Sequence, residues 1–246
     1  MSWLFLHGFT GSPAGFSGLA SRLPVRPSRT APRWVAATLG GHLAEPSSSD
    51  FWAEVDRLAA LAPDATGVCG YSLGGRLALG LLARFPRRYA RGVVISAHPG
   101  LRTDAAREAR REQDDRWVSL LQQQGIAAFV AAWERQTLWD SQQGLPKEII
   151  AAKRRERLMH SARGLAESLR SVGLGCMPDL RGGLAQSTSR VHLLVGSRDQ
   201  RYRELAEELC LCLPRAQVCV AQGAGHDLVL ELPAFCASYL AQETLA

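Results

Sequence analysis

The sequence predicts an α/β fold in which a mostly parallel sheet carries helices on both faces and a helical cap is inserted between two of its strands. Three observations predict it. Short apolar runs alternate with amphipathic helical patterns, one long stretch shows helical patterning alone, and Gly70-Tyr71-Ser72-Leu73-Gly74-Gly75-Arg76 places a serine between glycines where an apolar run meets a helix. Strand and helix in alternation give a parallel sheet covered on both sides.

In chain order, the apolar runs are residues 3–6, 34–37, 66–69, 92–96, 191–195 and 217–221, each with the composition of a strand buried on both faces. Helical patterns follow at 14–22, 51–61, 74–85, 202–211 and 233–243. Between about Leu101 and Leu174 the rhythm is helix only, with Trp117, Leu120, Leu121, Phe129 and Trp133 set among Arg, Glu, Gln and Ala. A segment of that length between two strands lies outside the sheet. Residues 1–100 and 176–246 are therefore expected to form the core, and residues 101–175 the cap over the strand ends. Residues 46–49 read as a loose polar loop.

With 246 residues, 46% of them apolar, the chain is long enough for one large α/β domain carrying an insertion. Its net charge of +6 comes from arginine and favours anionic partners. The basic residues between Arg102 and Arg170 are interspersed with Asp104, Glu108, Glu112, Asp114 and Asp115, so a small polyanionic substrate is expected rather than nucleic acid. The first residues lack the basic and apolar segments of a signal peptide, and no apolar run is long enough to span a bilayer. A cytoplasmic protein without a membrane partner is expected. Six cysteines lie mostly in apolar segments, with Cys210 and Cys212 one residue apart, a pattern of neither a disulfide scaffold nor a zinc site. No metal site is expected, and monomer and homo-oligomer both stay open.

The glycine-flanked serine has the form of a nucleophile elbow, a tight strand-to-helix turn that lifts Ser72 above the sheet. A serine hydroxyl becomes a useful base or nucleophile at neutral pH only when a histidine takes its proton and a carboxylate fixes that histidine's tautomer. Asp199 follows the run 191–195 in Gly196-Ser197-Arg198-Asp199, and His226 follows the last run in Gly223-Ala224-Gly225-His226. Each candidate thus sits just past the carboxyl end of a strand, where open parallel sheets place their sites. Asp199 has a competing role as cap of the helix beginning near Arg201, and His226 as an ordinary loop histidine. His7, in Leu6-His7-Gly8-Phe9, comes too early to be the base and is expected to buttress the site. The backbone N–H groups of Leu73 and Phe9 are the expected oxyanion donors.

Leu6-His7-Gly8-Phe9, Gly70 to Gly75, and Gly225-His226 followed by Glu231 and Pro233 resemble the α/β-hydrolase superfamily over nearly the whole chain. Gly70 to Arg76, Ala97-His98-Pro99-Gly100-Leu101 before an Arg/Glu-rich helix, and Pro178-Asp179-Leu180 resemble one family within it, the 2-succinyl-6-hydroxy-2,4-cyclohexadiene-1-carboxylate synthases of menaquinone biosynthesis. That resemblance implies a lyase in which the serine removes a proton beside a succinyl ketone. The oxyanion hole holds the enolate, and pyruvate leaves 2-succinyl-5-enolpyruvyl-6-hydroxy-3-cyclohexene-1-carboxylate. No metal or organic cofactor is implied. The implied substrate carries three carboxylates, and the matching positions are Arg76, Arg110 and Arg157, with Tyr71 and Trp133 as pocket aromatics; guanidinium suits carboxylate through paired hydrogen bonds. Arg111, Arg154 and Arg155 lie near enough in sequence to be the ligands instead.

Two departures stand out. Leu39-Gly40-Gly41-His42 lacks the Asp-x-Pro-Gly-His form of many relatives, and the residues after His226 are unusually apolar. A serine esterase or thioesterase with the same triad is the competing activity. A ligand-binding module on a silent hydrolase fold is a third reading, opposed by the complete Ser72, Asp199 and His226 set.

Overall fold

The computed structural model describes residues 2–23 and 33–245. Six strands, β1 (Ser2–Leu6), β2 (Arg33–Ala37), β3 (Gly67–Tyr71), β4 (Arg91–Ile95), β5 (Arg190–Gly196) and β6 (Ala216–Ala221), pair in the order β2-β1-β3-β4-β5-β6. Every pairing is parallel, with Leu6 opposite Gly70, Tyr71 opposite Ile95, and Ile95 opposite Leu194. All six expected strands are present. β3 runs on to Tyr71, so its last residue abuts the serine.

Successive strand residues point to opposite faces, and this divides the core in two. Leu4, Leu6, Val68, Val94 and Leu193 pack under α2 (Phe51–Leu61), α3 (Leu73–Arg84) and α8 (Gln200–Cys212). Trp3, Phe5, Cys69, Val93 and Leu194 pack under α1 (Ser17–Ala20), α9 (Leu228–Glu231) and α10 (Pro233–Leu245). The helix expected over 14–22 is instead a 3-10 turn, Pro13–Phe16, followed by the single turn α1. Pro13, Gly15 and Gly18 account for this, since proline starts a turn readily and glycine sustains a helix poorly.

Between β4 and β5 the chain is helical apart from its loops. It comprises α4 (Asp104–Trp133), a 3-10 stretch Thr137–Gly144, α5 (Lys147–Leu158), α6 (Ala162–Val172) and the short α7 (Arg181–Leu184). Thr103 and Ser161 cap α4 and α6 by accepting the N–H groups of Ala106 and Gly164 at 3.1 and 2.9 Å. Gly125, with φ of 78°, breaks α4 into two arms. Val118, Leu121, Phe129 and Val130 of those arms close over Leu165 and Leu169 of α6 as a separate apolar cluster, and Phe9 of the sheet domain packs against it. Among the described residues, no helix is long and apolar enough to cross a membrane.

Candidate active site

Ser72 lies between β3 and α3 with φ 53° and ψ −110°, a backbone conformation that a residue with a side chain adopts only under constraint. The constraint is close packing. A Cβ on Gly70 would run into the Gly74 carbonyl, and one on Gly74 into the Leu6 carbonyl, while the Gly74 N–H donates to the His7 carbonyl at 3.0 Å. Glycine at both positions lets α3 start directly against β1, which leaves the serine standing at the carboxyl end of the sheet.

The structure brings Ser72, His226 and Asp199 into one hydrogen-bonded line. His226 Nδ1 lies 2.7 Å from Asp199 Oδ2, and its Nε2 lies 3.0 Å from Ser72 Oγ. With the ring proton on Nδ1 facing the carboxylate, Nε2 accepts the serine O–H. The loop carrying His226 is fastened by Glu231, whose carboxylate accepts the N–H groups of Gly225 at 2.7 Å and Asp227 at 3.2 Å and the hydroxyl of Ser141 from the cap at 3.0 Å. Asp199 also fills its competing role, because it caps α8 by accepting the Tyr202 N–H at 3.4 Å. The two roles are compatible because the two carboxylate oxygens are used separately.

The N–H groups of Leu73, the first residue of α3, and of Phe9 have no hydrogen-bond partner among the described residues. Both residues line the same cavity as Ser72, and two free N–H groups beside a serine–histidine pair suit a developing oxyanion. His7 stays in a buttressing position. Its Nδ1 faces the Gly8 carbonyl at 2.9 Å, its Nε2 takes the Leu39 N–H at 3.2 Å, and burial lowers its pKa to about 3.

The cavity, of about 710 Å³, lies between the strand ends and the cap. Aromatic rings form one side: Tyr71, Trp139 and Tyr202 surround His226 with centroids at 5.6, 6.0 and 4.4 Å, and Trp133 stacks on Phe129 at 5.4 Å. Burial drives the Tyr71 phenol well above its usual pKa, and the nearby Asp227 acts in the same direction, so the ring stays neutral.

Arginines form the other side. Among the described residues, Arg76 has one hydrogen bond, from Nη1 to the Val172 carbonyl at 3.0 Å, and no carboxylate partner. Enclosure, helped by the neighbouring Arg110, brings its pKa down to about 10. Arg110 also lines the cavity, but its Nε donates to Asp114 Oδ1 at 2.9 Å, so its charge is partly spent on its own helix.

Arg157 is placed differently from the sequence expectation. It is buried, donates to Glu134 Oε1 at 2.9 Å, and lies 5.2 Å over the face of Trp139, behind the cavity wall. Arg154 is the second partner of the same Glu134, and Arg111 is turned to the Gly175 carbonyl and Glu108; neither of them, nor Arg155, lines the cavity. In their place the wall includes Arg198 and Arg201, together with Gln113 and Tyr202. Arg198 and Arg201 flank Asp199 in the sequence, and that adjacency was the available signal. A residue beside a triad carboxylate at a strand end is carried to the same mouth.

A hydrogen-bonded serine, histidine and aspartate at the carboxyl edge of a parallel sheet, beneath a helical cap, define an enzyme of the alpha/beta hydrolase family, and the chain belongs to that family, whose sequence profile matches residues 3–238. Within it, the chain groups with the 2-succinyl-6-hydroxy-2,4-cyclohexadiene-1-carboxylate synthases. The synthase of Klebsiella pneumoniae is 30% identical over 249 residues, covering 98% of this chain and 92% of its own. That of an Enterobacter species is 29% identical over 249 residues, covering 98% and 90%. A solved structure of MenH from S. aureus superposes with a TM-score of 0.90 at 25% identity, covering 100% of this chain and 95% of that one.

Proposed function

We propose that this chain is a cytoplasmic lyase that eliminates pyruvate from 2-succinyl-5-enolpyruvyl-6-hydroxy-3-cyclohexene-1-carboxylate, with Ser72 as the base. The observation that carries the reading is Arg76, a guanidinium without a carboxylate partner among the described residues, enclosed in the same cavity as the Ser72 hydroxyl. A site for neutral esters gains nothing from such a charge, whereas a polycarboxylate supplies its missing partner.

Asp199 holds the His226 ring with Nδ1 protonated, and Nε2 takes the Ser72 proton as the serine oxygen removes a proton from the carbon beside the succinyl ketone. The negative charge that develops on the ketone oxygen is received by the Leu73 and Phe9 N–H groups. As the enolate electrons return to the ring, the bond from ring carbon to the enolpyruvyl oxygen breaks, and the departing enolpyruvate takes up the proton held by His226 to become pyruvate, which leaves Ser72 protonated and His226 neutral as they began. Arg76 and Arg110 hold substrate carboxylates, while Tyr71 and Trp133 bound the ring. Arg157 supports that wall from behind through Trp139.

Pyruvate release measured by coupling to lactate dehydrogenase tests the reading. The wild-type chain is expected to release pyruvate and Ser72→Ala to lose at least about three orders of magnitude in turnover. Turnover of a nitrophenyl ester with a trapped acyl group on Ser72, and no pyruvate from the synthase substrate, would make the chain an esterase.

A further inference from the structure

Three buried histidines pack edge to face in a row beside the oxyanion loop, and the reaction above does not use them. His7, after β1, faces His42, after β2, with ring centroids 5.0 Å apart; His42 faces His160, between α5 and α6 of the cap, at 5.3 Å. Each ring accepts a backbone N–H. His7 Nε2 takes that of Leu39, His42 Nε2 that of Thr10 at 3.3 Å, and His160 Nδ1 that of Leu43 at 3.0 Å. Thr10 and Leu43 have φ of 63° and 51°, in the left-handed region that a residue with a side chain keeps only when its surroundings impose it. Two of the four such non-glycine residues described are thus held by a histidine nitrogen, and Thr10 directly follows Phe9.

We propose that His42 is a positioning residue of the oxyanion hole: its Nε2 holds the Thr10 amide and so aims the Phe9 N–H, while His160, by holding Leu43 beside His42, ties that aim to the seating of the cap. The proposal rests on Phe9 as an oxyanion donor and not on which substrate is used. A second link supports the coupling, since Ser12 of the same loop donates to Glu156 of α5 at 2.6 Å.

The arrangement requires neutral rings, because an imidazolium has no lone pair with which to accept an N–H. The titratable groups facing His42 are His7 and His160; Lys153 and Glu156 on α5 act on His160, and Glu54 on α2 accepts the Gly40 N–H while the Gly40 carbonyl faces His42 Nδ1 at 3.2 Å. Burial, with His7 and His160 as neighbours, keeps the His42 ring well below its usual pKa.

The test compares His42→Phe, which keeps a ring without an acceptor, with His42→Gln, which keeps an acceptor. One readout is the rate at which a fluorophosphonate labels Ser72. Ser72 Oγ displaces fluoride from phosphorus, its proton passes to His226, and the phosphoryl oxygen occupies the oxyanion hole, so labelling reads the hole whatever the natural substrate. The other readout is kcat and KM for pyruvate release. His42→Phe is expected to slow labelling and kcat at least about tenfold with KM within twofold, and His42→Gln to recover most of the loss. Labelling of His42→Phe at the wild-type rate, equal loss in both variants, or a wild-type chain that is not labelled overturns the proposal. If His42→Phe does not fold, His160→Leu against His160→Asn decides from the cap side: slower labelling in the leucine variant alone supports the coupling, and equal rates overturn it. Labelling that behaves as expected in a chain that releases no pyruvate supports the positioning role and removes the lyase.

Discussion

Asp199 holds His226 and the start of α8 at the same time, with Oδ2 2.7 Å from His226 Nδ1 and Oδ1 3.4 Å from the Tyr202 amide nitrogen. Two substitutions separate the roles. Asp199→Asn keeps an oxygen for the helix cap but offers the histidine the wrong partner, so kcat is expected to fall by about 10⁴ with the melting temperature kept. Asp199→Ala should lose comparable activity and about 1 kcal/mol of stability as well. Steady-state turnover and thermal melting check both; an asparagine variant within tenfold of wild type would remove Asp199 from the proton path.

Among the described residues, no carboxylate pairs with Arg76. Arg76→Gln is expected to raise KM by roughly 10- to 100-fold, the equivalent of a charge-assisted contact of about 1.5–3 kcal/mol. Its melting temperature should stay level or rise, since an enclosed charge that no described carboxylate neutralises has been removed. An unchanged KM would take Arg76 out of the substrate site.

Arg157 predicts the reverse pattern. Its pair with Glu134 is almost wholly buried on the arginine side, at 4% side-chain exposure, and among the described residues Arg157→Met leaves Glu134 with only the exposed Arg154. A loss of about 3 kcal/mol is expected in urea denaturation. A raised KM with no change in stability would instead make Arg157 a direct substrate contact.

Acid should destabilise the fold through its neutral histidines. Burial lowers His7 and His98 from the usual 6.5 to about 3, with Arg201 and Arg76 adding to the effect on His98. Between those values the unfolded chain binds the protons and the folded chain does not. Stability therefore falls as pH drops through that window, by up to about 1.4 kcal/mol per pH unit for each ring, and is indifferent to these rings above it. Urea midpoints measured from pH 7 to pH 4 check this, and a flat profile would show that the rings are protonated inside the fold.

The sheet and the Ser72, Asp199, His226 line were legible because their signals are local. A strand buried on both faces is a continuous apolar run, and a residue just after it is carried to the carboxyl edge. Arg110 and Arg157 were harder, since a guanidinium's role depends on which carboxylate reaches it. Asp114 is four residues from Arg110 and could be read along one helix, whereas Glu134 meets Arg157 across the cap. The row of histidines was invisible for the same reason: His7, His42 and His160 come from three separate segments and share no periodicity. Likewise, Gly125 is a single glycine within a helical pattern, and only its positive φ shows that it divides α4.

The polypeptide departs for the cap after Pro99 and returns at Leu180, whose N–H donates to the Pro99 carbonyl at 2.9 Å, before it passes on to the amino end of β5. An excursion anchored at two such close points is free to lengthen, shrink or be exchanged without disturbing strand register. Ser72, His226 and Asp199 all belong to the invariant side of that junction, whereas Arg110 and Trp133 belong to the exchangeable side. Selectivity on this scaffold can therefore be rewritten one module at a time, with the proton-handling apparatus inherited intact.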